Sequence, residues 1–223
     1  MEIIHLRQTL PQVFADRDAI TSDVWHQDLV LRKGERYLIE AASGTGKSSL
    51  CSYIYGYRHD YQGIINFDER NIRSLSIHEW VELRKHSLSM LFQELRIFWE
   101  LGDLGVGLMR VFNMIAIGPL SGQAINALKD YETNYKKKKE ILALFETLGI
   151  AEKVNEKAGK LSFGQQQRVA FIRALCQPFD FIFLDEPISH LDDDNGTLMG
   201  RMLTEEAERQ GAGIIVTSIG KHI

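Results

Sequence analysis

Residues 41–48 have the types and spacing needed to bind a phosphate group. Their sequence, AASGTGKS, matches the phosphate-binding pattern GxxxxGK[ST], except that Ala41 stands in place of the first glycine. Glycines let backbone N–H groups curl around phosphates, and a following helix adds its positive N-terminal end. The pattern predicts that Lys47 reaches the outer phosphates of a nucleotide and that the Ser48 hydroxyl ligates Mg²⁺. The alternative is a glycine turn with an incidental lysine.

Two adjacent carboxylates form a second candidate group. The apolar run at residues 181–184 has the pattern of a strand buried on both faces, and Asp185 and Glu186 follow it. Such a strand delivers Asp185 to the sheet edge beside the phosphates, where it would hold Mg²⁺ through water. Glu186 would polarise the attacking water. The alternative is a strand end that carries two acidic residues without a catalytic role.

Strands and helices that could position these groups alternate along the chain. A compact strand at residues 36–40 runs into the glycine-rich segment, and a helix is predicted at residues 48–57. Other strands are predicted at residues 3–6, 28–31, 62–67, 87–92, 179–184 and 213–217. Residues 94–159 are predicted to be mostly helical, and helices are predicted at residues 76–86, 136–149, 164–176 and 196–210. This alternation predicts an α/β fold with a mainly parallel central sheet.

Composition and charge narrow the function classes. The chain has 223 residues, enough for one large domain or a core with a subdomain. Its 44% hydrophobic and 25% charged residues are ordinary for a soluble globular protein. The net charge of −4 gives no electrostatic reason to expect nucleic-acid binding. Cys51 and Cys176 lie far apart and are expected to be reduced thiols, which favours a cytosolic compartment.

The most apolar segment is not expected to be a membrane span. Residues 104–120 are short for a span and are interrupted by Arg110 and Asn113, so a buried or partner-facing helix is expected. Residues 1–16 mix charges and have no long apolar run, so no signal peptide is expected. Any membrane attachment would then come through a partner. The lysine run at residues 136–139 is expected to be a solvated helix start.

A third motif, LSFGQ at residues 161–165, points to a family. It resembles the LSGGQ signature of ABC-type ATPases, with Phe163 in place of the third-position glycine. The phosphate loop, Gln93 after an apolar strand, the signature and the acidic strand occur in that family's order across residues 36–218, and SHLD at residues 189–192 resembles its D-loop. The chain therefore resembles the nucleotide-binding subunit of an ABC transporter. It is most similar to the exporter-type ATPases that serve lipoprotein release and macrolide export.

The resemblance implies a P-loop NTPase fold of the ABC type. In this fold a mainly parallel central sheet is flanked by helices, with an N-terminal antiparallel β subdomain and a helical subdomain that carries the signature. Residues 1–223 would then be a single ABC ATPase domain. Its RecA-like core would comprise about residues 1–92 and 170–223, and its helical subdomain about residues 94–169.

The resemblance also implies a composite site for ATP and Mg²⁺ between two head-to-tail subunits, either a homodimer or a pair with another ATPase subunit. ATP contacts are expected from the loop and the next helix, at Ala41, Ala42, Ser43, Gly44, Thr45, Gly46, Lys47, Ser48 and Ser49. Further contacts are expected from the signature and the D-loop, at Ser162, Gly164, Gln165 and Asp192. Mg²⁺ ligands are expected at Ser48, Gln93 and Asp185. Catalytic roles are expected at Glu186, Gln93 and Ser218.

Three of these roles have alternatives. The family stacks adenine on an aromatic residue upstream of the loop, for which Phe14 is the best candidate and Trp25 the second, although a lone aromatic also fits a core position. Ser162 and the N–H groups of its helix suit an anion, but Ser162 alone would serve as a helix N-cap. Gln93 would ligate Mg²⁺ or the water and sense the membrane partner, or it is simply a polar residue after a strand.

Besides Ala41 and Phe163, two features depart from the family pattern. The family usually has a histidine after the last apolar strand, where it contacts the γ-phosphate, and this chain has Ser218. A hydroxyl can donate one hydrogen bond but cannot become cationic, so slow hydrolysis or a larger share for Glu186 is expected. The apolar residues 102–127 lengthen the helical subdomain. They are expected to be extra core or a flexible loop, or else a wider docking surface for a membrane subunit.

The favoured function is ATP hydrolysis that powers a polytopic membrane permease through ATP-driven dimerisation, at the cytoplasmic face of the inner (plasma) membrane. A soluble ABC-type ATPase of DNA repair or translation is one alternative, but the chain has neither a coiled-coil insertion nor a second cassette. A weakly hydrolysing nucleotide switch is another, which Ser218 favours and Glu186 disfavours.

Overall fold

Two four-stranded β-sheets and the helices around them form the part of the chain that the computed structural model describes. That part comprises residues 1–16, 21–92, 135–156, 160–187 and 193–220. In chain order its strands are β1 (Ile3–Pro11), β2 (Asp28–Arg32), β3 (Arg36–Glu40), β4 (Tyr61–Phe67), β5 (Arg70–Asn71), β6 (Leu88–Leu91), β7 (Phe181–Asp185) and β8 (Gly213–Ser218). Its α-helices are α1 (Lys47–Ile54), α2 (Ile77–His86), α3 (Lys138–Thr147), α4 (Phe163–Leu175) and α5 (Asp193–Gln210). Short 3₁₀ turns lie at Gln12–Phe14, Ile72–Ser74 and Ala151–Lys153.

The first sheet is antiparallel, with the strand order β2-β1-β4-β5. Its central strand β1 pairs with β2 on one side and with β4 on the other. Alternate residues of β1 point to opposite faces, so Ile4 and Leu6 are buried while Arg7 is exposed. A bulge between Arg7 and Leu10 then interrupts this alternation. The sheet confirms the expected antiparallel unit near the N-terminus.

The second sheet is parallel, with the strand order β3-β8-β7-β6. The register of β8 sets Ser218 opposite Glu40 on one side and Thr217 opposite Asp185 on the other. Because the strands are parallel, the carboxyl ends of β3, β7 and β8 meet at one edge of the sheet. The loop after β3 and the acidic residues at the end of β7 are therefore neighbours.

Strand β7 separates two hydrophobic clusters. Phe181 and Phe183 belong to the cluster that includes Tyr53 of α1 and the buried side chains of the antiparallel sheet. Ile182 and Leu184 belong to the cluster formed with α4 and α5, which contains Phe171. All five residues of β7 are buried, which confirms the prediction of a strand covered on both faces.

A buried arginine joins α2 to the carboxyl end of α1. Arg84 is 2% exposed, and its Nε and Nη2 donate to the Tyr55 carbonyl at 3.2 and 3.0 Å. Nη2 also donates to the Gly56 carbonyl at 3.1 Å. The guanidinium lies 4.9 Å from the centroid of the Trp80 ring. A cation at this position satisfies the two carbonyls that directly follow α1 and complements the negative end of the helix dipole.

Lys136 does not follow the prediction of a solvated lysine run. Its side chain is 7% exposed, and its Nζ donates to Glu206 of α5 at 2.7 Å. Burial alone would raise the pKa of Glu206, but hydrogen bonds from Arg209, Lys136 and Tyr135 lower it. Residues 137–139 are exposed as expected. The first lysine of the run thus ties the segment before α3 to α5.

The predicted fold class is confirmed, and the strands and helices predicted within the described residues are present. Their ends differ by a few residues, except that β1 continues to Pro11 through the bulge and that the two-residue strand β5 was not predicted. No helix among the described residues has the length and apolar character needed to cross a membrane. The predictions for residues 94–134, including the apolar segment, lie outside the described residues. The division into core and helical subdomain stays a prediction.

We expect Arg84→Met to lower the free energy of unfolding by about 2–4 kcal/mol, because it strands the Tyr55 and Gly56 carbonyls in the core. Urea denaturation of the two proteins would measure the difference. The control is Arg70→Met, since Arg70 pairs with Glu79 on the exposed surface and its loss should change stability much less. If the two substitutions lowered the free energy of unfolding equally, the buried hydrogen bonds of Arg84 would contribute no more to stability than an exposed ion pair.

Candidate functional site

The loop between β3 and α1 has the backbone of a phosphate-binding loop. Gly44 and Gly46 have φ values of +77° and +95°, the left-handed region that glycine adopts without a steric cost. Gly46 is the N-cap residue of α1, which begins at Lys47. The Thr45 hydroxyl donates to the Ala42 carbonyl at 2.8 Å and braces the turn. The predicted strand, glycine loop and helix are therefore present in that order.

The Lys47 side chain is buried and lies along its own loop. Its Nζ donates to the carbonyls of Ala41 and Ala42 at 2.6 and 2.9 Å. The same nitrogen lies 3.6 Å from Oε1 of Glu186, and the two side chains are 5% and 9% exposed. A buried cation and a buried carboxylate thus face each other, each reducing the cost of the other's burial.

The acidic pair at the end of β7 is bonded to the neighbouring strand. Oδ1 of Asp185 accepts a 2.6 Å hydrogen bond from the Thr217 hydroxyl. The backbone N–H of Glu186 donates to both oxygens of Thr217, Oγ1 and the carbonyl, at 3.2 Å. Glu186 has a φ of +48°, which is unfavourable for a residue with a side chain and persists only where neighbours hold it.

A buried cysteine lies close to this pair. Burial, and then the charge of Asp185, raise the pKa of the Cys51 thiol well above its usual value, so the thiol stays neutral. Burial also raises the pKa of Cys176, to about 12. Both are free thiols in the structure, as the sequence predicted.

Ser218 lies at the same sheet edge. Its side chain is buried, and its carbonyl accepts a hydrogen bond from the N–H of Ala41 at 3.2 Å. Its hydroxyl accepts one from the N–H of Gly220 at 3.1 Å. The structure therefore brings Lys47, Glu186 and Ser218 to one edge, which the sequence could only suggest.

Two buried aromatic side chains pack against the phosphate loop. Phe14 and Trp25 are 6% and 5% exposed, and Trp25 Nε1 donates to the Thr45 carbonyl at 2.9 Å. A Cβ placed on Gly46 would lie 3.0 Å from Trp25 and 3.1 Å from Phe14. Both rings also line a cavity of about 680 Å³ next to β3 and the loop. Which of them stacks on adenine stays a prediction.

The signature residues open α4, a helix of 13 residues. The Ser162 hydroxyl accepts from the N–H of Gln165 at 3.3 Å, and the Gln165 side chain accepts from the N–H of Ser162 at 2.9 Å. This reciprocal pair is a capping box, so the N-cap alternative describes the geometry correctly. Because Ser162 is exposed at the positive end of the helix, the cap leaves the site open to an anion from outside.

The structure describes some of the remaining predicted residues and not others. Ser43, Ser48 and Ser49 lie in or directly after the loop, and the Ser49 hydroxyl accepts a 3.0 Å hydrogen bond from Nη1 of Arg58. Gln93, Asp192 and the rest of the SHLD segment lie outside the described residues.

Sequence reasoning missed Thr217, which it treated only as the end of the last strand. Thr217 is fully buried and contacts both residues of the acidic pair. The available signal was a hydroxyl at the end of an otherwise apolar strand, where only a partner on a neighbouring strand would satisfy it.

This fold and this site define a nucleotide-binding protein of the P-loop class. Residues 26–189 match the model of the family described as ABC transporter. The chain belongs to the ABC transporter family, in its ATP-binding domain. Its fold is that of an ABC cassette, since it superposes on the dimeric structure of MJ0796, described as a bacterial ABC transporter cassette, with a TM-score of 0.72. That match has 22% identity and covers 97% of this chain and 88% of the other.

Two curated relatives show the same relationship in sequence. The macrolide export ATP-binding/permease protein MacB of Shewanella sp. (strain ANA-3) is 31% identical over 196 residues, which are 88% of this chain and 27% of MacB. The lipoprotein-releasing system ATP-binding protein LolD of Buchnera aphidicola subsp. Schizaphis graminum (strain Sg) is 30% identical over 190 residues, 85% of this chain and 76% of LolD. The chain thus spans about a quarter of the MacB relatives and most of LolD.

We expect Gly46→Ala to destabilise the protein more than Gly44→Ala does. Alanine at a left-handed φ costs about 1–2 kcal/mol at either position. At Gly46 the added methyl also meets the Trp25 and Phe14 rings, whereas nothing lies within 4 Å of a Cβ at Gly44. Urea denaturation without nucleotide measures both costs. Equal losses would mean that the two rings do not support the loop.

Proposed function

We propose that this chain binds and hydrolyses ATP as the nucleotide-binding subunit of an ABC transporter. The observation that carries the proposal is the approach of Lys47 Nζ to the Glu186 carboxylate at 3.6 Å. It joins the cation of a phosphate-binding loop to a carboxylate that can act on water. A protein that only bound nucleotide would not need the carboxylate there.

The loop residues from Ala41 to Ser49 would bind the ATP phosphates. The N–H groups of the loop and the N-terminus of α1 favour negative charge, and Lys47 adds a full positive charge. When ATP binds, Lys47 Nζ would leave its present partners, the two loop carbonyls and the Glu186 carboxylate, and would donate to phosphate oxygens. Because the triphosphate carries more negative charge than one carboxylate, the exchange is favourable and leaves Glu186 free for water.

The residues beside the loop fit a magnesium ion. Mg²⁺ prefers oxygen ligands, and proteins commonly hold it through one or two carboxylates together with the substrate phosphates. Ser48 and Asp185 provide a hydroxyl and a buried carboxylate, and we propose Gln93 as a third ligand. When bound, Mg²⁺ supplies positive charge that offsets the charge of the phosphates.

Glu186 would act as the general base. It would accept a proton from water as the water oxygen forms a bond to the γ-phosphorus and the bond to the β,γ-bridging oxygen breaks. The hydrogen bonds from its N–H to Thr217 would keep the carboxylate near the phosphates once Lys47 has turned to them. Ser218 would donate a hydrogen bond to the γ-phosphate, in the position where the family usually has histidine.

The signature would complete the site of a second subunit. Ser162, Gly164 and Gln165 lie at the exposed, positive end of α4, which suits the γ-phosphate of an ATP held by the facing loop. Asp192 would join them at the same interface. The partner would be a second copy of this chain or a paired ATPase subunit, and the dimeric structure of MJ0796 supports this arrangement. Phe14, or Trp25 in its place, would stack on the adenine.

ATP binding and hydrolysis by this dimer would power transport by a membrane permease. The relatives' names support the proposal, since MacB is an ATP-binding/permease protein and LolD belongs to a lipoprotein-releasing system. The chain would then act at the cytoplasmic face of the inner membrane, attached to polytopic permease subunits. We propose no role in nucleic-acid binding.

The test of catalysis compares Glu186→Gln with Lys47→Ala. Glu186→Gln should lower single-turnover hydrolysis about 100-fold or more while ATP still binds, because the amide cannot accept the proton. With ATP and Mg²⁺ it should also accumulate as a dimer in light scattering. Lys47→Ala should lose ATP binding itself. Glu82→Gln, on the exposed face of α2, is the control. Unchanged hydrolysis by Glu186→Gln would refute the assignment.

A weakly hydrolysing nucleotide switch is the second candidate, because a buried serine replaces the usual histidine. If Ser218 limits the rate, Ser218→His should raise the steady-state ATPase of the reconstituted dimer, since an imidazole can donate to the γ-phosphate and become cationic. Ser218→Ala is the matched control and should not exceed the parent protein. If Ser218→His has the thermal stability of the parent protein but an equal or lower ATPase rate, this role of Ser218 is wrong.

A further inference from the structure

The Thr217 side chain makes hydrogen bonds with both Asp185 and Glu186, the acidic pair at the end of β7. It is fully buried near the end of β8, directly opposite Asp185 in the parallel register. Its hydroxyl donates to Asp185 Oδ1 at 2.6 Å and accepts from the N–H of Glu186 at 3.2 Å. One side chain thus joins the proposed magnesium ligand to the proposed general base.

The direction of these hydrogen bonds follows from the chemistry of the groups. A hydroxyl has one proton, and the Asp185 carboxylate can only accept, so that proton is committed to Oδ1. The lone pairs of the hydroxyl are then left for the N–H of Glu186. A buried carboxylate needs such a donor, because burying a charged group without a hydrogen-bond partner is strongly unfavourable. The hydroxyl therefore fixes which way the Asp185 carboxylate is turned.

The same residue holds the backbone of Glu186. Glu186 has a φ of +48°, a conformation that is unfavourable for a residue with a side chain. Its N–H is held by Oγ1 and the carbonyl oxygen of Thr217. The turn at Glu186 sends its carboxylate to within 3.6 Å of Lys47 instead of along the strand. Without the hydroxyl, the N–H of Glu186 would lose one of the two oxygens of Thr217 that accept from it.

We propose that Thr217 is a positioning residue for hydrolysis. Its hydroxyl orients Asp185 toward the loop and holds Glu186 in the turned conformation that faces the phosphates. Thr217 itself touches no reactant and acts through these two residues. This inference rests on the proposed function of Asp185 and Glu186.

The test compares Thr217→Val, which removes the hydroxyl at nearly constant shape, with Thr217→Ser, which keeps it. Removing a residue that orients a functional group commonly costs about 10–100-fold, so Thr217→Val should lower kcat by that factor. Its affinity for ATP without Mg²⁺ should stay within about twofold of the parent, because the loop is intact, while the Mg²⁺ concentration for half-maximal activity should rise. Thr217→Ser should restore kcat to within about threefold of the parent protein.

A double-mutant cycle separates positioning from a general loss of structure. If Thr217 acts through Glu186, Thr217→Val should lower the residual rate of Glu186→Gln far less than it lowers the parent rate. Equal factors in the two backgrounds, or a Thr217→Ser variant as slow as Thr217→Val, would overturn the inference. Should Thr217→Val fail to fold, Thr217→Cys provides the same comparison, since its thiol is a weaker donor of similar size.

The outcomes also separate this inference from the proposed function. A parent protein without ATPase activity, or a Glu186→Gln variant as active as the parent, would refute the function itself. A normal response to Glu186→Gln together with an unchanged kcat in Thr217→Val would refute only the role of Thr217.

Discussion

The parallel pairing of β8 with both β3 and β7 is the constraint on which the site depends. It brings the carboxyl ends of three strands to one edge, so that residues distant in sequence become neighbours. Glu40, the last residue before the phosphate loop, faces Ser218, and Asp185 faces Thr217. A shift of β8 by one residue would turn Thr217 to the opposite face and separate the acidic pair from its hydroxyl. The register of one buried strand therefore sets the chemistry at the edge.

The structure shows the buried Lys47 paired with Glu186, and the proposed function implies a second arrangement with Lys47 on the phosphates of ATP. Desolvating two charges is expensive, and their mutual attraction repays the cost only while they remain close. A polyanionic ligand offers Lys47 a stronger partner than one carboxylate, and it would release Glu186 at the moment when water needs a base. The left-handed backbone of Glu186 and its hydrogen bonds to Thr217 would then keep the carboxylate in place after the lysine had left. Binding and catalysis are coupled in this account through a single exchange of partners.

The parts of the structure that follow from local pattern could be predicted from the sequence. The apolar run at residues 181–184 predicted β7, and two glycines before a lysine predicted the phosphate loop. Both predictions succeeded because the burial of a strand and the backbone freedom of glycine depend on residues that are adjacent in sequence. Contacts that depend on strand register or on packing between distant segments could not be predicted. The hydrogen bond of Thr217 to Asp185 joins residues 32 apart, and that of Trp25 to Thr45 joins residues 20 apart. The prediction that Lys136 is solvated was wrong for the same reason, since its partner Glu206 lies on another helix.

We expect the phosphates of ATP to displace Lys47 from the Glu186 carboxylate at an edge which is otherwise already formed. A crystal structure of the parent protein with a non-hydrolysable ATP analogue and Mg²⁺ would measure this, through the distances from Lys47 Nζ to the nearest phosphate oxygen and to Glu186 Oε1. The account predicts a direct hydrogen bond of about 2.7–2.9 Å to the outer phosphates, with the contact between Thr217 and Asp185 retained. Phosphates bound elsewhere, with Lys47 still on the Ala41 and Ala42 carbonyls, would contradict it.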